Sequence, residues 1–215
     1  MRRVQISLFR NTVGSIGIGA MIVFISMVLV AGIAASVLIS TSTNLEMQAL
    51  KTGQENIAEV GSGIRVECVE GYNSSGEITK IAIEVATRAG SPDVDLGQAI
   101  VEISDSTNKY ILRYGGAVAS ADDINGDLFG ITNFGDADDF DIIMVQDADD
   151  SCSATNPIIN FGDHAVIALN AGSVFSPGIS PMTDVSGMIV IEVGAPAIIG
   201  FRTPSSYADQ IMELQ

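Results

Sequence analysis

The chain is poor in the residues from which most catalytic and metal sites are built. Among 215 residues it has one histidine, His164, and two cysteines, Cys68 and Cys152. That set cannot assemble a zinc cluster, and no GxSxG nucleophile motif occurs. His164 stands in "FGDHAVIALN", beside an aspartate at a predicted strand start, where a surface hydrogen-bonding role is expected. Acidic residues are missing from the first 45 positions, where the charges are Arg2, Arg3 and Arg10. The remainder holds seven bases against 26 acids, a net −19 in a chain whose total is −16. So acidic a body repels phosphates, which argues against a nucleic-acid partner. It suits solubility, cation binding and a salty medium.

What the N-terminal part does have is "GSIGIGAMIVFISMVLVAGIAASVLI", charge-free from Gly14 to Ile39. As a helix, the 24 residues from Ile16 to Ile39 would span about 36 Å, enough to cross a bilayer core. The arginines lie only on its N-terminal side, which places that end in the cytoplasm and the acidic body outside. The run is too long for an ordinary secretory signal with a small-residue cleavage site. "GSIGIG" is not a phosphate loop, because no strand precedes it and no lysine follows it.

Strong helix formers continue the pattern through "NLEMQALKTGQENIAEV". One helix is expected over residues 15–60, amphipathic in its last third. Gly53 is a weak point within it, and "GSG" at Gly61–Gly63 is its stop. Small residues at four-residue spacing, Ala31 with Ala35 and Gly32 with Ser36, would let such helices approach closely.

Beyond Gly63 the period changes to two. "IRVECVE" puts Ile64, Val66 and Cys68 on one face, "KIAIEVA" aligns Ile81, Ile83 and Val85, and "KYILRY" aligns Tyr110, Leu112 and Tyr114. Further short strands ("AIVEIS", "FDIIMVQ", "HAVIALN", "GMIVIEV", "AIIGFR") are bounded by turn residues. The expected body, residues 61–215, is one all-β sandwich or barrel, making the chain α+β overall.

In an exported body, Cys68 and Cys152 are expected to form a disulfide. Closing that 84-residue loop would contribute about 4 kcal/mol; the alternative is two buried thiols. "GDADDF" and "QDADDS" repeat Asp-Ala-Asp-Asp on either side of "FDIIMV". Calcium or another divalent cation prefers such oxygen donors, so Asp136, Asp138, Asp139, Asp147, Asp149 and Asp150 are candidate ligands. The alternative is a solvated acidic surface. "NSS" makes Asn73 an N-glycosylation acceptor on an apparent turn.

Two segments, "GSIGIGAMIVFISMVLVAGIAASVLIST" and "GAPAIIGFRTPSSYADQIMELQ", resemble the two ends of archaeal flagellins (archaellins), filament subunits with a type IV pilin-like N-terminus. The resemblance covers roughly residues 14–62 and 187–215. It implies a class III leader peptide over residues 1–14, a polymerising core helix over 15–60 and an Ig-like outer domain over 61–215. It also implies leader removal between Gly14 and Ser15 by a prepilin-type peptidase, transient membrane insertion, and assembly into an extracellular swimming filament. The implied partners are identical or paralogous subunits and the archaellum assembly machinery, with no catalysis and no required cofactor. The leader departs from the family pattern in one respect: Thr12 and Val13, rather than a base, precede Gly14. The alternatives are a type IV pilin-like adhesion filament subunit and a single-pass membrane-anchored extracellular binding domain.

Overall fold

The computed structural model describes residues 12–215, so the basic leader positions Arg2, Arg3 and Arg10 lie outside the described residues. The chain divides into two units, Met1–Gly53 and Gln54–Gln215. One helix, α1 (Thr12–Gly61), accounts for every described residue of the first unit and the start of the second. No proline occurs before Pro92, so nothing removes a backbone donor along its length. Gly53 does not interrupt it. Within and just past the apolar stretch, the Ser26, Thr41 and Thr43 hydroxyls donate to the carbonyls of Ile22, Leu38 and Ile39 at 2.8–3.0 Å. Their polar groups are thereby satisfied inside the helix, as a dry environment requires.

The β-domain is built on a nine-stranded sheet. Its strands are β1 (Ile64–Ser74), β2 (Glu77–Thr87), β4 (Ile100–Ser104), β5 (Lys109–Ala119), β6 (Asp139–Gln146), β9 (His164–Leu169), β10 (Asp184–Val190), β11 (Ala197–Arg202) and β12 (Ile211–Glu213). Their order is β11-β10-β4-β5-β6-β9-β2-β1-β12, antiparallel except for the β5–β6 pair. A small second sheet joins β3 (Val94–Asp95), β8 (Asn156–Ile159) and β7 (Cys152–Ser153). A one-turn helix, α2 (Ala171–Val174), follows β9.

The large sheet curls until its two edges meet. Gly200 N–H on β11 donates to the Gln215 side chain (2.8 Å), while Val69 N–H on β1 donates to the Gln215 carbonyl (3.0 Å). The expected barrel-like β body is therefore one rolled sheet. Curling encloses a core in which Phe140, Ile83, Ile142, Ile167, Val101, Leu112 and Ile199 are buried. The inward sets Ile81/Ile83/Val85 and Tyr110/Leu112/Tyr114 face it as their alternation predicts.

Strands β2, β6 and β9 are covered on both faces. The segment 120–138 lies over their outer side and packs Phe129 and Phe134 against Ala82, Ile143, Val166 and Ala168. Phe129 stacks on Tyr72 and Phe134 at centroid distances of 5.4 and 5.7 Å. Lys80 fastens this cover: its Nζ donates to Phe129 O at 2.6 Å and sits 4.5 Å from the Phe134 ring.

Just past α1, Ser62 and Gly63 cross the loop carrying Gly194 and Ala195. Ala195 N–H donates to Ser62 O at 3.0 Å. A Cβ on Gly194 would lie 2.8 Å from Ser62 backbone atoms, and one on Gly63 would lie 2.8 Å from Ala195 O. Both glycines also have positive φ, +122° and +141°. Only glycine fits such a crossing. Gly194→Ala is expected to destabilise the subunit by about 1–3 kcal/mol through strain and overlap, read as a lowered midpoint in chemical unfolding.

Candidate functional site

The largest functional feature is the surface of α1. Fifteen large apolar side chains between Ile16 and Ile39 are each more than half exposed, including Phe24, Leu29, Ile33 and Leu38. No part of the apolar window is buried within the single chain. Ala31, Gly32, Ala35 and Ser36 are likewise exposed, with Ala31 above Ala35 and Gly32 above Ser36 on adjoining helical faces. A Cβ placed on Gly32 would meet nothing within 4 Å. The arrangement is an uncovered helix with a strip thin enough for close approach by another helix. The bond between Gly14 and Ser15 falls inside α1.

The expected disulfide is not formed: Cys68 and Cys152 are free thiols. A β-bulge explains why. Val66 pairs with Val85 but Cys68 pairs with Glu84, so the extra residue turns Cys68 off the inward face and gives that face to Val69. The Cys68 thiol donates to Glu84 Oε2 (3.4 Å), whose Oε1 lies 3.1 Å from His164 Nδ1. Cys152 is on β7 in the other sheet, packed at the rim of the core. Burial, together with the Glu84 carboxylate, pushes the Cys68 thiol up to about 11. Burial and the charges of Asp147 and Asp163 do the same to Cys152. Both are therefore protonated and weakly nucleophilic near neutral pH. His164 hydrogen-bonds Glu84 rather than the adjacent aspartate.

The six candidate aspartates do not form one site. Strand β6 separates them into two groups, about 25 Å apart by strand rise. At its start, Asp136 N–H donates to Asp139 Oδ1, and burial, with the charges of Asp139 and Asp136, pushes the Asp141 carboxyl up. Asp138 is exposed beside them. At its end, Asp147 and Asp149 are joined by Asp163, their carboxylate oxygens within 4.8 Å of one another. Asp150 is exposed and outside this trio. Asp163 is missed by sequence reasoning because it lies in a different loop; the β8–β9 turn carries it in, with Asn160 Nδ2 donating to Asp149 Oδ2 at 2.8 Å. Ser151 N–H donates to both Asp147 and Asp149 at 3.2 Å. The hydrogen bonds from Asn160 and Ser151 hold the Asp149 carboxyl below the usual range. An all-oxygen set of three carboxylates matches a hard divalent cation better than zinc.

Asn73 lies at the β1–β2 hairpin end, half-buried, with Oδ1 accepting from Gly76 N–H (3.1 Å) and Nδ2 donating to Asp209 O (3.4 Å).

Comparison with known proteins decides what this combination of apolar helix and rolled sheet belongs to. The archaeal-type flagellin family matches residues 14–201. The chain belongs to the archaeal-type flagellin family. It is similar to Flagellin B3 of Methanocaldococcus jannaschii, 42% identical over 211 residues covering 94% of this chain and 95% of that one. It is also similar to Flagellin B3 of Thermococcus kodakarensis, at 36% identity with 94% and 97% covered. The crystal structure of archaeal flagellin FlaB1 from M. jannaschii superposes with a TM-score of 0.66 and 36% identity, covering 72% of this chain and 97% of that one. The archaeal flagellum of Methanospirillum hungatei shares the fold, with a TM-score of 0.64 at 14% identity over 91% and 98%. A flagellin is a structural filament subunit serving motility, so the uncovered helix is a surface made for assembly.

With two free thiols, unreduced protein opened in denaturant should titrate two thiols per chain. In the folded subunit, alkylation should be slow near neutral pH and speed up as pH approaches 11, because only the thiolate reacts. A count of zero contradicts the free-thiol assignment.

Proposed function

We propose that this flagellin is made as a precursor whose leader is removed between Gly14 and Ser15 by a prepilin-type peptidase. Before assembly, α1 sits in the membrane with its N-terminus inside. It then passes into a bundle of α1 helices from identical or paralogous subunits at the centre of an extracellular filament. The β-domain faces the medium, where its acidic surface keeps it soluble. The assembly machinery and the motor act on the subunit, which needs no chemistry of its own. The observation that carries this reading is the unbroken apolar exposure of α1 from Ile16 to Ile39. Lipid and a helix bundle are both apolar, so transfer between them never wets these side chains. Mass spectrometry of filaments sheared from cells should find a chain beginning at Ser15. A chain confined to membranes and beginning at Met1 would sink the proposal.

Asp147, Asp149 and Asp163 would hold a divalent cation, which neutralises their mutual repulsion and ties the β6–β7 loop to the β8–β9 turn. Asn73 would carry a glycan on the medium-facing side. Adding chelator should lower the unfolding temperature of the wild-type subunit and leave Asp149→Asn unchanged. Equal responses would remove the cation from the proposal.

A further inference from the structure

Two exposed apolar features lie at opposite ends of the β-domain. The first is Phe161, 81% exposed. It occupies the second position of the tight turn Asn160–Asp163, followed by Gly162 at φ +99°. The turn is locked: Asp163 N–H donates to Asn160 O (3.3 Å), Asn160 N–H donates to Asp163 Oδ2 (2.9 Å), and Thr87 Oγ1 donates to Asn160 O (2.9 Å). Phe161 is thus a rigidly presented knob, and its turn is acidic: Asp163 closes it and Asn160 Nδ2 donates to Asp149 Oδ2 at 2.8 Å.

The second feature is a groove of about 370 Å³ on the outer face of β11, β10 and β4. The strand registers build it. Gly200, Ser186, Ser104 and Lys109 lie side by side across four strands, and the next row is Ile198, Met188, Glu102 and Ile111. Ser186 and Ser104, the short side chains of the first row, line it. Ile198 (73% exposed) and Met188 (39%) make an apolar wall. Its charges balance: Lys109 pairs with Glu102 at 2.6 Å and Arg202 with Asp184 at 3.6 Å. On a β-domain with six bases against 23 acids, net −17, a balanced patch with its own lysine and arginine is where an acid-flanked knob can dock without repulsion.

The pairing also places the two features at opposite ends. Gln146, at the end of β6, faces His164, at the start of β9, and β5 runs parallel to β6. Phe161 therefore lies where β5 finishes, whereas Lys109 begins it. A knob at one end and its groove at the other form a heterologous contact, which propagates instead of closing.

We propose that Phe161 of one subunit seats in the Ser186–Ser104–Ile198 groove of the next, a second polymer contact in addition to the α1 bundle. The proposal rests on the filament reading above. A rigid aromatic in a desolvated pocket is the kind of anchor that dominates an interface.

The test is a pair of cysteines, Phe161→Cys with Ser186→Cys, in a chain freed of Cys68 and Cys152. Oxidised filaments of the paired chain should run as a multimer ladder under denaturing conditions, and the ladder should be lost in either single variant. Filaments that form but give no ladder overturn the contact. Absence of filaments even from the wild-type chain overturns the filament reading instead. If the paired chain alone does not assemble, Met188 in wild-type filaments decides. Peroxide should oxidise it more slowly there than in dissociated subunits, and equal rates overturn the contact.

Discussion

The whole chain is organised around an apolar helix that cannot remain in water. Leaving one large apolar side chain wet costs about 1.5–3 kcal/mol. Fifteen such side chains lie between Ile16 and Ile39, so the total is on the order of tens of kcal/mol. A folded domain is stable by only about 5–15 kcal/mol. No property of the β-domain can offset that exposure; another apolar phase must cover the helix. Lipid and a bundle of like helices are the two phases available, and the self-bonded hydroxyls of Ser26, Thr41 and Thr43 suit both.

The β-domain answers the opposite requirement. It must stay in water at high subunit density, and its net −17, six bases against 23 acids over residues 61–215, keeps copies apart except where apolar or charge-balanced patches let them meet. It must also stay joined to the helix under load. The glycine crossing at Gly63 and Gly194 ties the chain leaving α1 to the loop before β11. The C-terminal residues pair with β1 and reach β11, so the two sheet edges are held by the same segment. The family resemblance at both chain ends thus has a physical basis: these are the segments that polymerise and that close the sheet.

Much of this was legible in the sequence. The helix is expected at 15–60 and observed at Thr12–Gly61, because a long run of apolar residues and helix formers without proline has no competing structure. The inward faces of β2 and β5 follow from simple alternation. The failures share one cause, contacts between residues distant in the chain. The bulge at Cys68 breaks the alternation, and it depends on how β1 meets β2. Asp163 joins Asp147 and Asp149 only because a turn folds back over their loop. "HAVIAL" reads as a continuous apolar run because segment 120–138 covers the second face of β9, and two-sided burial erases the period on which strand prediction relies.

The central claim is that copies of α1 cover one another in the assembled state. Its most direct test is the water access of Ala35, replaced by cysteine and probed with a charged maleimide, with peptide mapping to separate it from Cys68 and Cys152. The account predicts that Cys at position 35 is unlabelled in intact filaments and labelled once subunits are dissociated. Equal labelling in the two states would contradict it.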